Sequence, residues 1–150
     1  MATKNKLTTD SYSPIHFRPH GRVEFSVLRE NVLVCEAIGP FNLELINAVV
    51  AVEGPLIDAL VKQAKWGDIV IFKESAMTSP EVLASFTEYL RSLSASMRMP
   101  TATALVISSE VEGSKIMTQH YLKCYEEAGL NAAVFGDFDQ ALAWIDTKVE

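Results

Sequence analysis

The stretch DIVIFKESAMTSPEVL, residues 68–83, decides how the rest of the chain is interpreted. Its run Ile69-Val70-Ile71-Phe72 is short, β-branched and aromatic, which is typical of an interior strand. Ser79-Pro80-Glu81 is a strong helix start. The serine can accept a backbone hydrogen bond, the proline needs no N–H there, and the glutamate suits the positive end of the helix dipole. The stretch therefore predicts a strand, a polar loop and a helix.

The flanking segments extend this alternation in both directions. Residues 22–29 and 31–38 are strand-like and are joined by a turn, which predicts a β-hairpin. Helical spacing over about 42–65 is interrupted by Gly54-Pro55, which predicts two short helices or one kinked helix. Further helices are expected over about 79–94, 111–128 and after 136, with strands over 101–108 and 131–135. The order β-β-α-β-α-β-α-β-α predicts an α/β fold with a mostly parallel mixed sheet and an antiparallel opening hairpin.

Composition limits the classes of protein to which the chain can belong. The chain has 150 residues, of which 49% are hydrophobic, and this suits one domain. We expect residues 1–20 to be a flexible or strapped arm and residues 21–150 to form the α/β domain. A net charge of -6 with scattered basic residues argues against a nucleic-acid partner. No apolar leader and no run of about 18 apolar residues is present, so we expect a cytoplasmic protein without a transmembrane segment.

Two inferences concern buried side chains. Cys35 and Cys124 lie in strand-like and helix-like stretches, so we expect buried free thiols rather than a disulfide. In helix 111–128 the predicted buried face is the set Ile116, Met117, His120, Tyr121 and Cys124. His120 would then be a core or rim histidine.

Motifs that carry chemistry are few. The seven glycines are scattered and no phosphate-binding loop, HExxH or GxSxG pattern occurs, so we expect no cofactor, no metal and no enzymatic activity. Glu36 interrupts an apolar strand. It is interpreted either as a solvent-facing strand residue or as a partly buried acid that lines a pocket.

Loops 39–42 and 74–79 both follow predicted strands. Adjacent parallel strands end at one edge of a sheet, where ligands and partners tend to bind. The expected interaction edge consists of Gly39, Phe41, Asn42 and Glu74. The hydroxyls of Ser75, Thr78 and Ser79 are either turn and capping groups or phospho-acceptors that would change the charge of a docking surface.

From about residue 22 to 147 the chain resembles STAS domains of the SpoIIAA type, the bacterial anti-sigma factor antagonists. The resemblance is carried by RVEFSVLRENVLVCEAIG, DIVIFKESAMTSPEVL, TATALVIS and YLKCYEEAGLNAAVFGDFDQALAWI. It implies a non-enzymatic regulatory domain that docks to a protein, with an anti-sigma or kinase-like protein as partner. The serine that is phosphorylated in the family corresponds to Thr78 and Ser79. The family usually has an Asp-Ser-Ser-Gly-like sequence there, whereas this chain has Met77-Thr78-Ser79-Pro80.

An alternative function follows from the same order of elements. The β/α arrangement also resembles the CRAL-TRIO lipid-transfer fold. This implies a binding module for a small apolar or lipid-like ligand, in a pocket under helix 42–65 that the Gly54-Pro55 break could open. The apolar residues Phe41, Trp66 and Trp144 also raise the alternative of a homodimer surface.

Overall fold

A computed structural model describes residues 6–12 and 18–150. The strands are β1 (Leu7–Thr8), β2 (Arg22–Leu28), β3 (Val32–Ile38), β4 (Gly67–Lys73), β5 (Ala102–Val106) and β6 (Ala132–Phe135). The helices are α1 (Leu43–Leu60), α2 (Pro80–Ala95), α3 (Ser114–Glu127) and α4 (Phe138–Val149), and a short 3-10 turn covers Thr9–Ser11.

Within the described residues, the six strands form one sheet in the order of the chain, β1-β2-β3-β4-β5-β6. The pairs β1–β2 and β2–β3 are antiparallel, and the pairs from β3 to β6 are parallel. The predicted α/β fold with an antiparallel opening hairpin is confirmed. The edge strand β1 was not expected. It pairs Leu7 with Phe25, so part of the segment predicted to be an arm belongs to the sheet.

Helices cover both faces of the sheet. Side chains of α1, α2 and α3 share one core cluster with Leu33 and Cys35 of β3. Val32 and Val34 belong to a second cluster, in which α4 contributes Ala141 and Ile145. This division follows from the two-residue period of a strand, which sends alternate side chains to opposite faces. The sheet is therefore the middle layer of three.

Helix α1 is continuous across the predicted break. Pro55 lies inside it and removes one backbone donor without ending the helix. The side chain of Asn42 accepts a 3.0 Å hydrogen bond from Leu45 N and so forms the N-cap of the helix. The helix ends at Leu60 rather than near residue 65, because the next N–H groups bond in tight turns, such as Gln63 N to Leu60 O at 2.9 Å.

Helix α3 begins later than expected. Residues 109–113 form a loop that is tied to loop 74–79 by a bridge between Ser75 and Glu112, so the helix starts at Ser114. Its buried residues are Ser114, Met117, Tyr121, Cys124 and Tyr125. The expectation that Ile116 and His120 are buried is wrong. Ile116 is 63% exposed and His120 is exposed, since both lie on the flank that faces away from the sheet.

The cysteines and the helices also bear on the sequence-based expectations. Cys35 and Cys124 are both buried free thiols, as predicted. In residues 6–12 and 18–150, no helix combines the length and the apolar character needed to cross a membrane. The remaining part of the predicted arm, residues 1–5 and 13–17, lies outside the described residues.

Candidate functional site

The predicted interaction residues meet at the carboxyl ends of β3 and β4. Phe41 N donates a 3.1 Å hydrogen bond to Met77 O, and Thr78 Oγ1 donates a 3.0 Å hydrogen bond to Phe41 O. Gly39 N also donates to Lys73 O at 3.4 Å. Loops 39–42 and 74–79 therefore form one bonded surface, here called the docking edge.

Gly39 is required by the close approach of the two loops. A Cβ atom at this position would lie 2.1 Å from the carbonyl oxygen of Ser75. Backbone atoms cannot move away as the end of a flexible side chain can, so a larger residue would separate the loops. The docking edge thus depends on a glycine at its centre.

The three hydroxyls of the docking edge differ in accessibility. Ser75 is buried, donates a 2.6 Å hydrogen bond to Glu112 Oε1 and accepts one from Met77 N at 3.1 Å. Thr78 is half-buried through its bond to Phe41. Ser79 is exposed, and its hydroxyl caps α2 by accepting from Val82 N at 3.3 Å. Of these three residues, only Ser79 is exposed to solvent.

The other two predicted edge residues have different environments. Asn42 caps α1 and binds the chain that precedes β2, because its Oδ1 accepts from His20 N at 2.8 Å and its Nδ2 donates to Arg18 O at 3.2 Å. Glu74 is exposed, with a left-handed backbone of φ 63°. Asn42 therefore holds the fold together, whereas Glu74 presents a charge to solvent.

A cavity of about 90 Å³ lies between the sheet and the layer of α1, α2 and α3. Its α1 lining consists of Leu45, Ile46, Val49, Glu53 and Ile57. A cavity needs only roughly 10–15 Å³ to hold one water molecule, and an engineered apolar cavity of about 150 Å³ in another protein binds benzene. Pockets for drug-sized ligands are larger, about 300–1,000 Å³. The cavity therefore has room for a compact molecule.

Four polar side chains meet at the wall of this apolar cavity. The Cys35 thiol lies 3.7 Å from Glu53 Oε2 and 3.6 Å from Asp68 Oδ1. The Tyr89 hydroxyl donates a 2.6 Å hydrogen bond to Glu53 Oε1. Since one thiol carries one proton, it can donate to only one of the two carboxyl groups at a time. Within the described residues no other hydrogen bond reaches the Asp68 carboxyl, and Asp68 is half-buried because it borders the cavity.

Thr103 lies beside Asp68 on the neighbouring strand. The two residues are register partners in the β4–β5 pair, and both line the cavity. Thr103 is fully buried, and its hydroxyl has no hydrogen-bond partner in the described part of the chain. Buried hydroxyls without a partner are rare and costly in folded proteins. The hydroxyl therefore marks a place where a bound group could contribute a hydrogen bond.

The electrostatics of the cavity wall favour protonated acids. Burial, together with the nearby Glu53 carboxylate, raises the pKa of Asp68 well above its ordinary value. Burial also raises the pKa of Glu53, against the opposing effect of its hydrogen bonds from Tyr89 and Cys35. Burial and the nearby acids raise the pKa of the Cys35 thiol well above its ordinary value. The thiol is therefore protonated and unreactive at neutral pH.

No lysine, arginine or histidine of the described residues lines the cavity. Arg98 is the basic residue that acts on Glu53 from nearby, but its guanidinium donates to Gly54 O at 3.1 Å and to Asp58 Oδ1 at 2.7 Å. The Asp58 and Gly54 contacts hold it at the outer side of α1. The cavity thus contains acids without a basic partner.

The cavity extends from the polar wall to the docking edge. Its lining includes Phe41, Phe72 and Tyr121. The rings of Phe41 and Phe72 pack edge to face with centroids 6.2 Å apart, and those of Phe72 and Tyr121 lie 4.6 Å apart. The Tyr121 hydroxyl donates a 2.7 Å hydrogen bond to Ala76 O in loop 74–79. The aromatic end of the cavity is therefore bonded to the surface predicted for docking.

Glu36, for which one of two interpretations was a partly buried acid that lines a pocket, lies on the opposite face of the sheet. It is half-buried and paired with Lys6 and Lys73. Partial burial would raise the pKa of Glu36, but the two lysines outweigh it and lower the pKa. The described residues contain no group of three or more metal-ligating side chains suited to a metal ion.

Sequence reasoning missed the acids that do line the cavity. Glu53 follows Val49 by four residues and precedes Ile57 by four, which places it on the buried stripe of α1. That spacing was a usable signal for a buried acid. Asp68 opens the central strand, and its burial could be inferred only once β3 and β5 were known to flank it.

Comparison of the chain with protein-family models, with curated proteins and with solved structures finds no match. The geometry of the cavity and of the docking edge is therefore the basis for a function.

Proposed function

We propose that this protein is a non-enzymatic binding module for a compact apolar molecule, which it holds in the cavity under α1. The observation that carries the proposal is an apolar cavity of about 90 Å³ whose wall includes one unsatisfied buried hydroxyl, that of Thr103. The volume favours a ring-sized molecule over a lipid chain, since a chain would need α1 to move away from the sheet.

The expected affinity is modest. Burying apolar ligand surface contributes about 25 cal/mol per Å² of area removed from water. A molecule of six to eight heavy atoms therefore gains a few kcal/mol, which corresponds to a Kd on the order of 0.1–1 mM. This range suits detection by NMR rather than by methods that require tight binding.

The proposal is tested by titrating the protein with toluene and following its amide and methyl NMR signals. We expect saturable shifts at Val49, Val70 and Leu83, which line the cavity. Val49→Phe should fill the cavity and abolish the shifts. Val50→Phe is the matched control, because Val50 is the next residue of α1 and is 42% exposed. Shifts that persist in Val49→Phe, or that never saturate in the unchanged protein, would refute the proposal.

A second candidate function is docking to a protein partner through the docking edge, as the STAS resemblance implies. It is supported by the bonding of loops 39–42 and 74–79 into one surface that exposes Glu74 and Ser79, the N-cap of α2. The partner would be an anti-sigma or kinase-like protein. Because Phe41 belongs both to this surface and to the cavity lining, a bound ligand would be in contact with the docking edge.

The phosphorylation part of this candidate has a direct test. Thr78→Glu and Ser79→Glu each add a negative charge at the edge, and phosphorylation would add about 1.5–2 charges. If the affinity of a partner captured from the native cell is unchanged in both variants, phosphorylation does not act as a switch. Ser85→Glu, on a half-buried position of α2 outside the loops, is the control.

Two further aspects of the proposal concern assembly and location. Trp66 is buried, and Trp144 packs on Phe135 with ring centroids 5.4 Å apart, so neither offers a fully open surface for a homodimer. Light scattering over a concentration series tests dimer formation.

The proposed location is the cytoplasm, and two buried free thiols support it, since free cysteines are typical of reducing compartments.

A further inference from the structure

We infer that the polar wall of the cavity recognises the head of an apolar primary amine, with the Asp68 carboxylate and the Thr103 hydroxyl as its acceptors. This inference rests on the proposed function, because it names the chemical class of the ligand for the same cavity. It assigns a role to the Thr103 hydroxyl, which has no partner in the described residues, and to the Asp68 carboxyl, whose only donor there is the Cys35 thiol.

The geometry places the two acceptors side by side. Asp68 and Thr103 occupy the same register position on adjacent parallel strands, and both line the cavity. The only hydrogen bond to the Asp68 carboxyl from the described residues comes from the weak donor of Cys35, at 3.6 Å. An ammonium group has three donors and no acceptor, so it can bond to both side chains at once.

The acids at the cavity wall favour a ligand with a cationic head. Two carboxyl groups lie within reach of the same thiol, and no basic side chain of the described residues lines the cavity to balance them. A ligand with a carboxylate or phosphate head would add a third acid there. An ammonium instead supplies the missing positive charge, and in a buried site an opposite charge within about 4–6 Å strongly favours ionisation of the acid.

Binding of an amine should therefore release a proton from the acid pair. The titratable groups that face Asp68 are Cys35 of β3, Glu53 of α1, Tyr89 of α2 and Tyr125 of α3. Burial raises the pKa of Tyr89 and of Tyr125, so both remain neutral. The acids Asp68 and Glu53 are the groups that can lose a proton when the ammonium arrives. A primary amine keeps its own proton, as lysine does with an ordinary pKa of about 10.4.

The experiment compares four probes of similar size by isothermal titration and NMR: benzylamine, benzyl alcohol, benzoate and toluene. We expect benzylamine to bind at least tenfold more tightly than toluene at pH 7, and benzoate to bind least. The binding enthalpy of benzylamine should vary with the ionisation enthalpy of the buffer, which reports the released proton. Asp68→Asn should remove the preference for benzylamine over toluene, whereas Asp139→Asn, at an exposed position of α4, should leave that preference in place.

The outcomes separate this inference from the proposed function. If toluene binds and benzylamine binds no better, or if benzyl alcohol or benzoate binds best, the amine assignment is overturned while the apolar ligand site stands. If Asp68→Asn leaves the benzylamine preference intact, Asp68 is not the acceptor. If none of the four probes binds in the cavity, both the proposed function and the inference fail.

Discussion

The Tyr89 hydroxyl donates a 2.6 Å hydrogen bond to Glu53 Oε1, which joins α2 to α1 at the cavity wall. This bond compensates part of the cost of burying the Glu53 carboxyl. Tyr89→Phe should lower the free energy of unfolding by about 1–3 kcal/mol, because it leaves a buried acceptor without its best donor. Urea unfolding measures the change. Tyr125→Phe is the control, since the Tyr125 hydroxyl makes no hydrogen bond within the described residues, and an equal loss in both variants would contradict this role of Tyr89.

Asp68 should make the stability depend on pH in an unusual direction. Its folded-state pKa is raised above the unfolded value of about 3.9, so the native state binds the proton more tightly than the unfolded state. Stability should therefore fall as pH rises from about 4 through the raised pKa, with a slope of at most about 1.4 kcal/mol per pH unit for one group.

Asp68→Asn should flatten that part of the pH profile and raise the thermal midpoint at pH 8 relative to the unchanged protein. Thermal unfolding between pH 5 and pH 8 provides the measurement. A stability that instead increases with pH across this window, or an Asp68→Asn variant with the original slope, would show that the acid is not protonated in the fold.

Thr103→Val should stabilise the protein. The substitution keeps the shape of the side chain and removes a fully buried hydroxyl that has no partner in the described residues. Removal of an unsatisfied buried polar group should contribute about 1–3 kcal/mol. Thr101→Val, at an exposed position before β5, should change stability by less than about 0.5 kcal/mol. A destabilised Thr103→Val variant would mean that the hydroxyl already has a partner, such as an ordered water.

Replacing Gly39 or Gly54 with alanine should change the stability of the protein in opposite directions. Gly39→Ala places a Cβ atom 2.1 Å from Ser75 O and should cost about 1–3 kcal/mol or more by forcing the loops apart. Gly54→Ala meets nothing within 4 Å and lies inside α1, so it should stabilise the protein by about 0.5–1 kcal/mol. Chemical unfolding of the two variants side by side decides whether the docking edge is as tightly built as the structure indicates.

Much of the fold followed from local patterns in the sequence. The apolar run of β4 and the cap formed by Ser79 placed the central strand and the helix after it correctly. The alternation of strands and helices then predicted the sheet. The meeting of loops 39–42 and 74–79 also followed, because parallel neighbours end at the same edge.

The site depended on contacts between distant residues, which local patterns do not specify. Asp68 meets Thr103 through strand pairing and Cys35 through β3, while Tyr89 reaches Glu53 from a different helix. The Tyr89 hydroxyl could acquire a partner only when α1 and α2 packed together. The edge strand β1 was missed for a similar reason, since two residues are too few to show a period.

The most direct test of the central claim is a crystal structure of the protein under xenon pressure, because xenon enters apolar cavities without needing a polar contact. We predict a xenon peak between Val49 of α1 and Val70 of β4 in the unchanged protein, and none in Val49→Phe. A structure with no xenon at this position, with Val49, Val70 and Leu83 in direct contact, would contradict the account, since there would be no cavity to hold a ligand.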